Sequence, residues 1–244
     1  VNWDTVLKTA ISDLEVDQRE VSSKLYYIRY QIENSSDYVT VATTRPETML
    51  GDTAIAVNPR DKRYTNIVGK FAILPIVGRK LKIVQDKFAD PEQGTGAVKI
   101  TPAHDFNDFD VGKRQKLKTI NIFTDEGKIN KNAPDRYIGL DRFEARKKVL
   151  EELSELQFLV KEERVKNKIP YGDRSNSIIE PYLTEQWFVD AKKLSVNAKK
   201  IVKNKKTNFF PKNWSKTYFH WMNNIEPWCV SRQLWWGHQI PAWY

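Results

Sequence analysis

The stretch GTGAVKITPAHDFNDFD, Gly94 to Asp110, decides how the rest of the chain is read. Ala97, Val98 and Ile100 alternate with Lys99 and Thr101 at a period near two, which predicts a strand. Pro102 ends that strand because it has no N–H to give to a ladder. Gly94 and Gly96 loosen its entry. Past the stop, Asp105 and Asp108 stand three residues apart, so on a helical turn running into Phe109 and Val111 they share one face beside the side chains of the strand end. A cationic, hydroxyl and dicarboxylate cluster results. On position alone two readings stay open: Asp105 is an N-cap or a ligand-facing carboxylate, and Lys99 is a solvated strand residue or part of a site.

Upstream, in ATTRPETMLGDTAIAVNP (Ala42 to Pro59), a strand again ends in hydroxyls and charge before a proline. Thr43, Thr44, Arg45, Glu47 and Thr48 crowd one turn, a density that reads as chemistry rather than burial. Around these two stretches the N-terminal two-thirds is rich in strand signals. Lys24–Tyr30 and Tyr38–Thr43 alternate as a pair, with Asn34-Ser35-Ser36-Asp37 as the turn. Thr53–Val57, Phe71–Val77, Lys80–Val84, Ile120–Phe123 and Phe158–Glu162 are further strands. One helix is predicted over Asp141–Leu156, capped by Asp141, with Phe143, Val149, Leu150, Leu153 and Leu156 as its apolar stripe. Short strands at close spacing suggest a barrel.

The 244 residues suffice for a sizeable core, and 40% hydrophobic with 12% aromatic content is globular. No apolar run approaches the roughly 18 to 20 residues of a membrane span. The first residues, VNWDTVLKTAISDLEVDQREV, resemble neither a signal nor a transit peptide, and a start without Met reads as a piece of a longer protein. One cysteine, Cys229, excludes a disulfide framework and any multi-cysteine zinc site, which points to the cytoplasm. The net charge of +9 is lopsided: residues 1–165 carry 27 Lys and Arg against 26 Asp and Glu, residues 166–244 carry 13 against 5. Between Lys192 and Lys216, Lys193, Lys199, Lys200, Lys203, Lys205, Lys206 and Lys212 occur with no acid, interleaved with Leu194, Ala198, Ile201 and Val202 at helical spacing. That face is either simply solvated or contacts RNA phosphates. Seven of the eight Trp follow residue 166 and read by default as core or interface anchors.

Taken together, ATTRPETMLGDTAIAVNP and GTGAVKITPAHDFNDFDVGKR closely resemble the editing (CP1) insertion of the valyl-tRNA synthetase family, within the class I aminoacyl-tRNA synthetases. The leucyl insertion usually follows arginine-proline with Asp and then Phe-Gly, where this chain has Glu47 and Met49-Leu50-Gly51, and the isoleucyl one usually reads TTPWT. The likeness runs on through GLDRFEARKKVLEEL, EPYLTEQWFV and WCVSRQLWWGHQIPAWY, nearly the whole chain.

The resemblance implies a β-barrel-dominated mixed α/β fold, a closed barrel with peripheral helices. It implies three parts: a flank over 1–20, the editing barrel over 21–165, and a basic, Trp-rich exit segment over 166–244 returning to a catalytic domain. No HIGH or KMSKS signature occurs, so ATP and magnesium belong to that other domain, and editing itself needs no cofactor. Many relatives carry cysteine pairs, plausible zinc ligands, where this chain has Tyr171, Gly172, Asp173 and Arg174, so no structural metal is expected.

The implied reaction is hydrolysis of mischarged threonyl-tRNA(Val). Threonine differs from valine by a hydroxyl in place of a methyl, and a hydrophobic pocket rejects such an isostere by only about 10²-fold, valyl-tRNA synthetases being themselves the standard example. A second site must then accept the hydroxyl through buried polar groups, a role that suits Asp105 and Lys99. Asp108 holds the α-ammonium by the same resemblance. The ester is already activated, so donors and water positioning suffice, supplied by Lys99, Thr101, Thr43 and Thr44. Arg45 takes a phosphate of the tRNA acceptor end; Glu47, Thr48, Gln93 and His104 complete the binding surface. Gln93 stands where relatives often have an aromatic residue beside the terminal adenosine, and His104 reads as a structural hydrogen-bonder rather than a base. The expected partners are tRNA(Val) and threonine, with no membrane, and a monomer. Rival readings are a metal-dependent hydrolase built on His104, Asp105, Asp108 and Asp110, which lacks further His upstream, a non-catalytic tRNA-binding module, and editing of another amino acid.

Overall fold

The computed structural model describes residues 1–241 and 243; Ala242 and Tyr244, the end of the expected exit segment, lie outside the described residues. Strands β1 (Asn2–Asp4) and β2 (Thr9–Ile11) precede a long β3 (Val16–Ile32) and its partner β4 (Tyr38–Thr43). Then come β5 (Ala54–Val57), β6 (Phe71–Ile73), β7 (Lys80–Gln85), β8 (Ala97–Ile100) and helix α1 (Phe106–Gln115). Helix α2 (Arg142–Glu155) leads into β9 (Leu159–Gly172), and the chain finishes with β10 (Glu180–Pro181), β11 (Phe188–Val189), α3 (Ala191–Lys203), α4 (Trp214–Asn223) and β12 (Trp228–Cys229).

The main sheet runs β4-β3-β6-β7-β5-β8, with β9 also on β3. The turn at Asn34–Asp37 sets an antiparallel register from Tyr26↔Thr43 to Gln31↔Tyr38, and β5 and β7 form a parallel pair. β3 reaches 17 residues because one of its edges is shared, most of it by β9 and its last two residues by β6. The expected closed barrel is corrected to an open, curled sheet in a mixed α/β fold: the end strands β4 and β8 approach within 8 Å but form no ladder. β8 has only four residues before Pro102, and the gap between the two ends is the cavity described below.

Inside the curl, Ile28, Tyr30, Ile32, Met49, Leu50, Ile55, Leu81 and Ile83 are fully buried. Helix α2 covers one side with Ala145, Val149 and Leu153, four residues apart, while Leu156 is exposed; Asp141 caps it by accepting from Phe143 N at 2.8 Å. Two predicted strands contract. Phe71–Val77 stops at Ile73 because Pro75 begins a turn with Ile76 and Gly78 at positive φ, and Ile120–Phe123 keeps only a bridge from Phe123 to Ile129. The Trp residues after 166 are not core: all seven are about half exposed or more, and only Trp3 is buried. Helix α4, which carries Trp214 and Trp221, buries no residue. No described helix is long and apolar enough to cross a membrane.

Candidate functional site

Where β4 and β8 fail to pair, a cavity of about 280 Å³ opens, lined from β4 and its following turn by Ala42, Thr43, Thr44, Arg45 and Thr48. From β8, α1 and the loop between them come Val98, Lys99, Thr101, His104, Asp105 and Asp108. Nine of the eleven residues singled out from the sequence thus meet around one space. The other two do not line it. Gln93 is exposed beside an adjoining cavity of about 660 Å³, which shares Leu25, Ala42, Phe88 and Val98 with the first. Glu47 is fully buried behind the turn.

That burial corrects the expectation that the crowded turn is not there to be buried. Pro46–Gly51 form a 3-10 helix with every residue inside. Gly51 is required there, since a Cβ would stand 2.9 Å from the Ile120 carbonyl oxygen. Glu47 is held by Arg146 through two hydrogen bonds of 2.7 and 2.8 Å. Burial alone would raise its carboxyl, but the bonds from Arg146 and the charges of Arg45 and Arg146 leave it lowered. Arg45 is also engaged: it pairs with Glu180, lies 3.4 Å from Glu47 Oε1 and donates to the His104 carbonyl at 3.1 Å. Its guanidinium therefore ties the turn, the loop leading into α1 and β10 together at the cavity wall.

Lys99 is no solvated strand residue. It is buried, and Nζ donates to Thr48 Oγ1 (2.9 Å), Asp52 Oδ1 (3.1 Å) and Thr101 Oγ1 (2.5 Å), which accounts for all three ammonium protons. Thr101 Oγ1 in turn donates to Asp52 Oδ1, and Tyr30 donates to Asp52 Oδ2 at 2.9 Å. Burial raises the Asp52 carboxyl, opposed by Lys99 and by these three hydrogen-bond donors. In the sequence Asp52 and Tyr30 stand only inside a quoted turn and a predicted strand, with nothing that marks either as a site residue. An acid between Gly51 and a strand reads as turn, and nothing local marks it as the hub of a buried network.

The two aspartates of the cluster part company. Asp105 is exposed and is the N-cap of α1, its Oδ1 accepting from Asn107 N and Asp108 N at 2.8 and 3.1 Å. Its Oδ2 has no partner among the described residues, so capping and facing the cavity coexist. Asp108 is buried, and its Oδ2 accepts from Thr101 N at 2.8 Å. Burial pushes Asp108 up to about 7, against the pull of Lys99 and with help from the neighbouring Asp105 charge. His104 Nε2 accepts from Ile122 N at 3.0 Å, and burial with the charges of Arg45 and Lys99 pushes it well below 6.5, so it is a neutral strut. Thr43 Oγ1 accepts from Arg45 N at 3.0 Å, keeping its own proton uncommitted.

A family model for tRNA synthetases class I (I, L, M and V) matches residues 1–244, and the chain belongs to that family. Within it, the chain is similar to valine–tRNA ligases. That of Pelagibacter ubique (strain HTCC1062) is 76% identical over 244 residues, the whole of this chain and 28% of the relative. That of Caulobacter vibrioides is 54% identical over 264 residues, again the whole chain and 29% of the relative. The chain thus spans less than a third of the length of these curated relatives. Among solved structures, the ternary complex of Agrobacterium radiobacter K84 agnB2 LeuRS with tRNA and LeuAMS matches at TM-score 0.44 and 20% identity, covering 61% of this chain and 20% of that one.

Proposed function

We propose that this chain is the editing part of a valine–tRNA ligase and hydrolyses the aminoacyl ester of threonyl-tRNA(Val). The observation that carries the reading is the cavity in the β4/β8 gap, where hydroxyls, one ammonium and two aspartates of different character surround a space of amino-acid size. In this reading Asp108 meets the α-ammonium, a feature of every aminoacyl ester. The uncommitted Asp105 Oδ2 meets the threonine hydroxyl, which valine lacks; admitting valine leaves that carboxylate unpaired. Thr43 and Thr44 face the oxygen that becomes negative in the transition state. In this reading residues 1–20 are a flank, 21–165 the editing body and 166–244 the exit segment. The tRNA(Val) acceptor end is the macromolecular partner, the protein acts as a monomer in the cytoplasm, and ATP and magnesium serve another part of the enzyme.

The test is direct: threonyl-tRNA(Val) and valyl-tRNA(Val) are presented separately and ester loss is followed. Threonyl ester is consumed and valyl ester spared, with or without EDTA. Equal turnover of both esters defeats the reading, and so does a rate lost on chelation and restored by metal. A non-catalytic tRNA-binding module is the second reading, favoured by the acid-free lysines of α3 and the segment after it; it gives binding without turnover of either ester.

A further inference from the structure

One buried carboxylate, Asp52, does not line the cavity but bonds two residues that do, Lys99 and Thr101. Asp52 ends the 3-10 turn just before β5, completely buried, and receives donors from three directions: Tyr30 on Oδ2, Lys99 and Thr101 on Oδ1. An ionised carboxylate only accepts, whereas a threonine hydroxyl has one proton and two lone pairs. Asp52 therefore takes the Thr101 proton, and Lys99 fills one Thr101 lone pair at 2.5 Å. One lone pair is left, on a residue that lines the cavity. The Thr101 backbone cannot turn to change this, because its N–H is held by Asp108. On the opposite wall the polarity is reversed: Thr43 has an occupied lone pair and a free proton, and the Thr44 hydroxyl has no partner in the described chain.

We propose that Asp52 is the positioning residue of this site, fixing Thr101 Oγ1 as a hydrogen-bond acceptor so that Thr101 orients the attacking water while the β4 threonines receive the oxyanion. The inference rests on the editing reading and deepens it. One water is consumed: its oxygen bonds to the ester carbonyl carbon, and the bond to the ribose oxygen breaks with its electron pair leaving on that oxygen. One water proton ends on the ribose oxygen, and the other is released from the carboxyl group formed. Thr101 keeps its own proton throughout and supplies only direction.

The test uses Asp52→Asn, Thr101→Val and the double variant in the intact protein. Asp52→Asn keeps the shape, and Tyr30 can accept as well as donate, so the core has a hydrogen-bonded alternative, but the amide no longer forces the Thr101 proton inward. Asp52→Asn is expected to lower kcat on the threonyl ester by about tenfold or more with KM changed less than about threefold. Added to Thr101→Val, it should change kcat less than about threefold, because the group it acts through is gone. A kcat within threefold of wild type, or an undiminished loss in the Thr101→Val background, overturns the proposal. Lys99 provides a readout that needs no turnover: freed from Asp52, it should be acylated by an amine-directed reagent at least about fivefold faster, as read by mass spectrometry. If the wild type hydrolyses nothing, the editing reading falls, and unchanged Lys99 acylation then also removes Asp52 as an anchor. Should Asp52→Asn not fold, Tyr30→Phe, which loosens the carboxylate at Oδ2, must lower kcat at least about threefold in a Thr101-dependent way; no loss there overturns the proposal as well.

Discussion

Thr101 gives its backbone N–H to Asp108 Oδ2 at 2.8 Å, so the residue just after β8 and a carboxylate on the first turn of α1 are joined across the Pro102 stop. That bond places Asp108 inside, while Asp105, three residues earlier, stays outside and caps the same helix. Two identical side chains three residues apart thus stand in different surroundings, one buried and one exposed.

Asp108 makes stability depend on pH. Its carboxyl rises from the ordinary 3.8 to about 7 on folding, so folding binds a proton. The favourable contribution is complete below about pH 4 and is lost as pH climbs through 7. Asp108→Asn does not titrate, so relative to the wild type it should gain stability between pH 5 and pH 8, by about 2.5 kcal/mol. Urea unfolding at the two pH values measures this, and a difference that does not change with pH rejects it.

Asp105 carries two jobs that substitutions can separate. Asp105→Asn keeps an oxygen for Asn107 N and Asp108 N and should shift stability by under about 0.5 kcal/mol, whereas Asp105→Ala should lose about 1 kcal/mol with the cap. Both should lose discrimination between threonyl and valyl esters. Competing deacylation rates decide; full threonine selectivity in either variant removes Asp105 as the specificity group.

Arg146 neutralises a carboxylate with no access to water. Arg146→Met strands Glu47, which then keeps only Arg45 at 3.4 Å, and should destabilise by about 3 kcal/mol. Adding Glu47→Gln should recover part of it. Chemical denaturation of the single and double variants gives the answer, and a loss under 1 kcal/mol in Arg146→Met means the pair does not hold the turn.

Gly51 has no room for a side chain. In Gly51→Ala the new Cβ meets the Ile120 carbonyl oxygen at 2.9 Å and the Ile122 and Thr101 methyl groups at 3.3 Å, and a backbone atom cannot step aside. A loss of about 1 to 3 kcal/mol is expected in thermal melting, with reduced ester hydrolysis because Asp52 is the next residue. An unchanged melting point shows that the 120–122 segment yields.

Much of this was legible without coordinates. The Lys99/Thr101 alternation, the Pro102 stop, the Asp105 cap, and Val149 with Leu153 from the predicted α2 stripe follow from local rules of period and capping that neighbouring residues satisfy among themselves. The approach of Thr43–Thr48 to Lys99–Asp108 was legible only through resemblance, since no local rule joins residues fifty apart. Tertiary structure alone decided the rest. β4 and β8 stay unpaired, because strand closure depends on the curl of the whole sheet, and that gap is the cavity. Glu47 and Thr48 are interior although their composition reads as exposed, because Arg146 arrives from a helix a hundred residues away to neutralise the one and Lys99 arrives from β8 to hydrogen-bond the other. Asp52 is a hub only because β3, the 3-10 turn and β8 converge there, and a sequence records which groups can donate or accept but not which ones are brought within hydrogen-bonding distance.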